Sequence, residues 1–418
     1  MRKLHYLIFL LILASGLRGE LFAQTDSTVR SVNTVVPDSI SVDPLKISEA
    51  GYVSERKKIL SVHAAGKLLK HAEELHDGNA QAMASLSLGD AFIAHGNNKK
   101  ALESLDHALR LKDSLNDDKD ISHLYYDLAI VFAHLKQYPL ALQCFYKTGY
   151  VYQQTFFKRK RKRIFSIDTT ADARMADLYN INSTEDSSTA TIFSDTNIDS
   201  LIMHTDTAKL KNNPLAEDSP FTEYDAVTDA FYDNKPATAF GILIHIKQPT
   251  AGKDNIFEKF SKVGHTFVTL TKFNSDSSIV SKTFGFYPEK DNLLSATPIM
   301  PSTNSVFKDD ALHDWDELVG KFISQKQFIA ILDFIEETGS KRYNLNSNNC
   351  TDFGLHIASI AKIEVQDTRG YWPLGRGNNP ASTGQSILKG KFKNLDNNSQ
   401  HGLFACSNNL FIRRNAAQ

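Results

Sequence analysis

One pattern occurs twice in this chain, forty residues apart. Leu88-Gly89-x-x-Phe92-x-x-x-Gly96, followed by Ala101, Leu105 and Ala108, returns as Leu128-Ala129-x-x-Phe132, followed by Tyr138, Ala141, Phe145 and Thr148. Between these positions apolar residues recur at spacings of three and four, as in Leu86, Ala91, Phe92 and Leu102, Leu105, Ala108, Leu109, which is the period of a helix buried on one face. A repeat of this kind constrains the fold strongly. Each copy is a helical hairpin that cannot bury its apolar face alone, so neighbouring copies must stack.

Small residues fall where two helices would cross closely, and large ones fall between. In this the region resembles the tetratricopeptide repeat. The likeness covers two copies and a partial one over Lys67 to Ala84, where Leu68-Leu69-x-x-Ala72 stands. Ala129 and Thr148 replace the usual glycine and alanine, and Lys112 to Asp120 lengthens a connection, stretching the period. An unrelated helical hairpin bundle is the alternative. The resemblance assigns residues 51–157 to an all-α module and implies a peptide or protein ligand on its surface.

The flanking sequence is of other kinds. Arg2 and Lys3, an apolar stretch from Leu4 to Leu17, and Leu21-Phe22-Ala23 form the succession of an export signal, assigned to residues 1–23. The stretch is short for a membrane span and is broken by Ser15 and Gly16. A periplasmic or secreted protein with no integral membrane segment after cleavage is expected. Residues 24–50 read as a flexible lead-in. Six consecutive basic residues, Lys158 to Arg163, open a Ser-, Thr- and acid-rich stretch over 158–220, expected to be a disordered linker that lets its flanks move independently. Lys and Arg total 47 against 48 Asp and Glu, so the chain lacks the charge of a nucleic-acid binder. Three cysteines exclude a disulfide scaffold and a four-cysteine zinc site. No phosphate-binding glycine motif, zinc-protease motif or calcium-loop spacing occurs, so neither a cofactor nor a metal is assigned.

Residues 221–395 follow a different grammar, and 396–418 read as a polar tail. Phe240 to Ile246 is a buried-strand run. His265 to Thr271 and Ile279 to Tyr287 alternate around a turn at Asn274 to Ser278, a hairpin signature. Trp315 to Ile323 reads as a strand. Ser324 and Gln327 form a capping box for a helix whose apolar face carries Phe328, Ile331, Leu332 and Ile335. Strands and helices in this order predict an α+β domain, hence a multidomain chain.

Within it, Asn348-Asn349-Cys350-Thr351-Asp352 precedes an apolar helical run. Asn is a natural helix starter, which places Cys350 in or beside the first turn, where unpaired amides stabilise a thiolate. His265 opens a strand after Gly264. A cysteine at a helix start facing a histidine on a sheet is a nucleophile–base geometry. Here the chain resembles the permuted papain-like hydrolases, relatives of the NlpC/P60 fold, in which the histidine strand precedes the cysteine helix. The likeness rests on Gly264-His265-Thr266-Phe267 and Asn349-Cys350-Thr351-Asp352-Phe353. Phe284 to Pro288, Tyr371-Trp372-Pro373 and Gly377 to Pro380 support it.

The resemblance implies catalytic Cys350 and His265 and a third residue on the strand after the histidine strand. A hairpin turning near Asp276 brings Tyr287 near His265 and makes it the candidate; no Asp, Glu, Asn or His lies in Ile279 to Tyr287, a departure from the pattern. Backbone amides near Cys350, with an Asn side chain, would hold an oxyanion. The expected activity is amide hydrolysis on a peptide or cell-wall substrate by a cysteine peptidase or amidase. A non-catalytic interaction scaffold on a degenerate papain-like frame, and an acyltransferase, are the alternatives. His245 and His356 read as structural, Cys144 as a core residue of the repeat, and Cys406 as a thiol of the tail able to pair with another.

Overall fold

The computed structural model describes residues 59–148, 195–203, 205, 219–256, 263–290 and 294–408. The export signal, the lead-in and the basic run Lys158 to Arg163 lie outside the described residues. The N-terminal part is helical: α1 (Val62–Glu74), α2 (Gly78–Ala94), α3 (Asn98–Arg110), α4 (Asp118–His134) and α5 (residues 138–148). Ser61, Asp77, Asn97 and Asp117 cap the first four, each side chain accepting from a backbone N–H of the first turn. The turns after α1, α2 and α4 close through a left-handed residue, respectively His76 (φ 54°), Gly96 (φ 69°) and Lys136 (φ 59°). Gly89 lets α2 and α3 cross closely, since a Cβ there would stand 2.6 Å from Leu105 Cδ2. Ala101 and Ala141, the small residues of the two copies, are fully buried.

A further helix, α6 (Asp195–Met203), lies inside the stretch expected to be disordered linker. Ile198 and Ile202 are buried in the core that contains α3 and α4. Asp199 accepts from Tyr125 Oη at 2.8 Å and pairs with Lys112. Two apolar anchors one turn apart and a clamped carboxylate hold a segment whose composition alone argues for disorder.

The C-terminal part is built on one seven-stranded antiparallel sheet. Its strands are β1 (Phe221–Thr222), β2 (Ala237–Lys247), β3 (His265–Asn274), β4 (Ile279–Pro288), β6 (Ser305–Asp309), β7 (Glu317–Ile323) and β13 (Phe404–Ser407), in the spatial order β1-β6-β4-β3-β2-β7-β13. The β3–β4 hairpin turns at Asn274 to Ser278, and Ser324 and Gln327 make the capping box of α8 (Gln325–Gly339). Helix α7 (Tyr224–Thr228) precedes β2; the short strands β5 (Ser302–Thr303) and β8 (Tyr343–Asn344) pair beside the sheet. The chain continues through α9 (Cys350–Ile360), β9 (Ile363–Val365), the hairpin β10 (Arg369–Trp372) and β11 (Gly375–Asn378), α10 (Pro380–Leu388) and β12 (Phe392–Asn394). The polar tail is corrected by β13, which pairs with β7 from Phe404↔Gly320 to Ser407↔Glu317.

Both faces of the sheet are apolar. On one face Ile242, Ile244, Val268, Leu270 and Val319 pack with α8 and α9 through Phe328, Ile331, Leu332, Ile335, Phe353 and Ile357. On the other Leu243, Phe267, Phe273, Leu318 and Phe404 share a core with the helical region. Leu142 of α5 fills the space over Gly241, where a Cβ would stand 2.6 Å from its Cδ1. Tyr126 Oη donates to Ala405 O at 2.7 Å, and Phe145 packs on Phe404. The expectation of two independently moving parts is therefore corrected: the helices form one cover of the sheet. Among the described residues no helix is long and apolar enough to cross a membrane.

Candidate functional site

Cys350 is the first residue of α9. Asn349 caps it, accepting from the Thr351 and Asp352 N–H groups, while Asp352 returns an acceptor to the Asn349 N–H to complete a capping box. The Asn349 Nδ2 donates to Leu345 O and Asn378 O, both at 2.9 Å, and Asn378 Nδ2 donates to Asp352 Oδ1 at 2.7 Å. The β10–β11 hairpin is thus tied to the first turn of the cysteine helix. Asn348 Nδ2 is directed to Arg342 O. Both Asn349 amide hydrogens and one of Asn348 thus serve backbone carbonyls.

Helix α9 lies against β3 at Gly354, where a Cβ would stand 2.6 Å from Thr266 Cγ2, and Thr351 and Thr266 share a hydroxyl–hydroxyl bond of 3.0 Å. This close approach brings Cys350 to the start of β3, where His265 stands after Gly264 (φ 74°). A side chain on Gly264 would meet Lys247 O at 2.5 Å, so the glycine permits both the turn and the approach.

The residue that orients His265 comes from elsewhere. Asp310, directly after β6, accepts from His265 Nε2 at 3.0 Å through Oδ2. Its other oxygen accepts from Tyr287 Oη at 2.7 Å and Ser219 Oγ at 2.6 Å. Tyr287, the candidate third residue, does lie against His265, with ring centroids 4.1 Å apart, but its hydroxyl is spent on the carboxylate. Its role as the imidazole's polar partner is corrected: Asp310 holds that place and Tyr287 holds Asp310. Strand β6 pairs with β4 from Phe284↔Asp309 to Pro288↔Ser305, which carries the next residue to the histidine. The available signal was the Asp309-Asp310 pair at the end of a short alternating run.

Burial opposes charge on all three groups, and their contacts decide the balance. Burial pushes the Cys350 thiol up, but its hydrogen bond to His265, the imidazolium charge and the Thr266 N–H bring it below its ordinary value. Burial lowers His265, yet the Asp310 charge and hydrogen bond, with the thiol beyond, raise it to about 9. Burial raises Asp310, and the charge and hydrogen bond of His265 hold it below the ordinary carboxylate value. With Nε2 engaged by Asp310, Nδ1 is the ring nitrogen left for the thiol. These directions favour a thiolate–imidazolium pair at neutral pH. Tyr343 of β8, stacked on Phe286, neighbours Cys350; burial and the thiolate charge raise its phenol well above the ordinary value.

The other singled-out residues lie apart from this chemistry. His245 is fully buried between Tyr138 and Phe267, with Nε2 2.8 Å from Thr269 Oγ1, and burial lowers it to about 3. His356 stacks on Phe334 at the exposed side of α9. Cys144 is buried in α5, and burial pushes its thiol up. Cys406 is buried within β13, so the expectation of an accessible thiol in a polar tail is corrected. Among the described residues one group, Asp90, His123 and Asp127, brings three possible metal donors within 4.8 Å of one another. It lies in the helical part, where His123 forms ion pairs of 3.0 Å with Asp127 and 3.5 Å with Asp90. No protein-family model, curated protein or solved structure matches the chain.

Proposed function

We propose that the chain is a thiol hydrolase of the permuted papain-like kind, with a tetratricopeptide-like helical cover, acting on an amide bond of a peptide or of cell-wall material outside the cytoplasm. The observation that carries this reading is the 3.0 Å bond from His265 to a buried Asp310, made by a histidine whose other side meets a thiol at a helix start.

In this reading the Cys350 thiolate attacks the substrate carbonyl carbon and forms a carbon–sulfur bond. The Cys350 N–H and the Tyr343 hydroxyl hold the oxygen that becomes negative. The His265 imidazolium gives its proton to the leaving amine as the carbon–nitrogen bond breaks, leaving a thioester. Neutral His265 then takes a proton from water, whose oxygen attacks the thioester. Collapse releases the acid and restores thiolate and imidazolium. Asp310 keeps the imidazole oriented and stabilises its charged form.

Acyl transfer to an acceptor other than water is the second reading. It is favoured by Tyr371 and Leu374, which are 77% and 79% exposed on the hairpin bonded to the cysteine helix. The deciding test is labelling with a thiol-reactive probe followed by mass spectrometry, in native protein and in His265→Ala. Fast, His265-dependent labelling of Cys350 supports a nucleophile. Equal labelling in both would leave a non-catalytic binding domain.

A further inference from the structure

The helical cover touches the loop that carries Asp310. Lys136, in the turn between α4 and α5, donates from Nζ to Leu312 O and stands 3.3 Å from Asp314 Oδ1. His134, two residues earlier, packs on Trp315 with ring centroids 5.2 Å apart. The loop is short and bonded both to the sheet and to itself: Asp310 N donates to Thr283 O of β4 at 3.0 Å, and His313 N donates to Asp310 O at 2.9 Å. Its His313 ring lies 5.2 Å from that of His265. Holding Leu312 and Asp314 therefore holds the segment from which Asp310 reaches the histidine.

The repeat makes the lysine conspicuous. Lys136 occupies the position of Gly96 in the preceding copy, forty residues earlier. Both residues are left-handed, at φ 69° for Gly96 and 59° for Lys136. That conformation suits glycine and disfavours a residue with a Cβ. His76 takes the same conformation after α1, but its side chain is exposed, whereas that of Lys136 is only 7% exposed and engages two partners. A lysine at a glycine-favouring turn, directed into a second structural layer, has a use that the turn itself does not supply.

We propose that Lys136 is a positioning residue for the thiol site: the turn between α4 and α5 braces the 311–315 loop and thereby fixes Asp310 against His265. This rests on the thiolate–imidazolium reading above. It gives the helical cover a part in the chemistry besides any ligand it binds. Loosening the brace weakens the Asp310–His265 bond, which lowers the imidazole's proton affinity and raises that of the thiol. The other groups facing this pair are His313 on the same loop, Tyr287 on β4, Tyr343 on β8, His245 of β2 and Tyr138 of α5, Lys247, which neighbours His265 across β2, and Lys308 of β6, 5.0 Å over the Tyr287 ring. Of these, Lys247 and His245 feel the Lys136 charge, which Lys136→Arg retains.

The test is the pH profile of Cys350 alkylation by iodoacetamide, read by mass spectrometry on the full chain. Lys136→Gly suits the turn's backbone and removes the brace. Its acid limb should move up by about one pH unit, which is about tenfold slower labelling on that limb. Lys136→Arg should restore most of the native profile, and His76→Gly, the same backbone change in a turn away from the loop, should leave it unmoved. Asp314→Asn removes the charge that pairs with Lys136 from the loop side and should move the limb in the same direction by less; it decides the matter if Lys136→Gly does not fold. A native profile in Lys136→Gly, or in Asp314→Asn where that variant decides, overturns the brace and leaves the thiolate reading standing. A native protein whose Cys350 titrates as an ordinary thiol overturns both.

Discussion

Asp310 Oδ2 and His265 Nε2 meet 3.0 Å apart beside Gly285, at a point where a Cβ on that glycine would stand 2.2 Å from the oxygen and 2.4 Å from the nitrogen. The bond between the two side chains exists because β4 carries no side chain there. Phe284 and Phe286 on either side face the core shared with α9, so the strand is held in place while its middle residue leaves the gap.

Gly285→Ala should therefore separate Asp310 from His265. Overpacking of this kind costs about 1–3 kcal/mol, so the variant should fold with a lower melting temperature. Cys350 alkylation at neutral pH should fall by about tenfold or more, a larger effect than the stability loss explains. Melting followed by circular dichroism, beside labelling rates, checks both.

The pH dependence follows from the directions of the shifts. His265 is raised to about 9 in the folded chain, above its ordinary 6.5, so its contribution to stability is fully present below pH 6.5 and lost as pH rises through about 9. Asp310 is lowered, so its contribution is present above the ordinary carboxylate value and lost as pH falls through its folded value. Hydrolysis needs both thiolate and imidazolium. Its rate should rise as Cys350 ionises below the ordinary thiol range and fall again near pH 9. Asp310→Asn should draw the two limbs together, as measured by turnover or probe labelling across pH.

The helical cover and the sheet should melt as one. Leu142 is fully buried over Gly241, and Leu142→Ala should cost about 2–5 kcal/mol. Calorimetry should show a single transition for the described core, shifted as a whole in the variant. Two transitions, with only one of them moved, would mean that the shared core is not cooperative.

Asp199→Ala should release α6 without disturbing the thiol site. It removes the acceptor of Tyr125 Oη and the partner of Lys112. Hydrogen exchange over Asp195–Met203 should quicken, while Cys350 labelling stays native.

The reading of the sequence reached the elements whose signals are local. The capping chemistry of Asn349 and the alternation of β3 were enough to point to Cys350 and His265. Asp310 lies beyond the strand that follows the histidine strand, where no local pattern marks it. The acid arrives by non-local pairing, directly after a five-residue strand that joins the far side of β4. The joint core was legible in principle. Phe240 to Ile246 is apolar on one strand face and carries only Gly241, Leu243 and His245 on the other, with no charged residue, and such a strand is suited to two covers. The helices supply the second. Cys406 was misplaced because a four-residue strand following the polar stretch Asn394 to Gln400 carries too little pattern to stand out.

The most direct measurement is the ionisation of Cys350 in the native chain, followed by pH-dependent alkylation with Cys144 and Cys406 as buried internal references. The account predicts that Cys350 labels first and titrates clearly below the ~8.5 of a free thiol. It also predicts that His265→Ala and Asp310→Asn each move the titration upward, the histidine variant more. A Cys350 that titrates at or above the ordinary thiol value, unmoved by either substitution, would contradict the account.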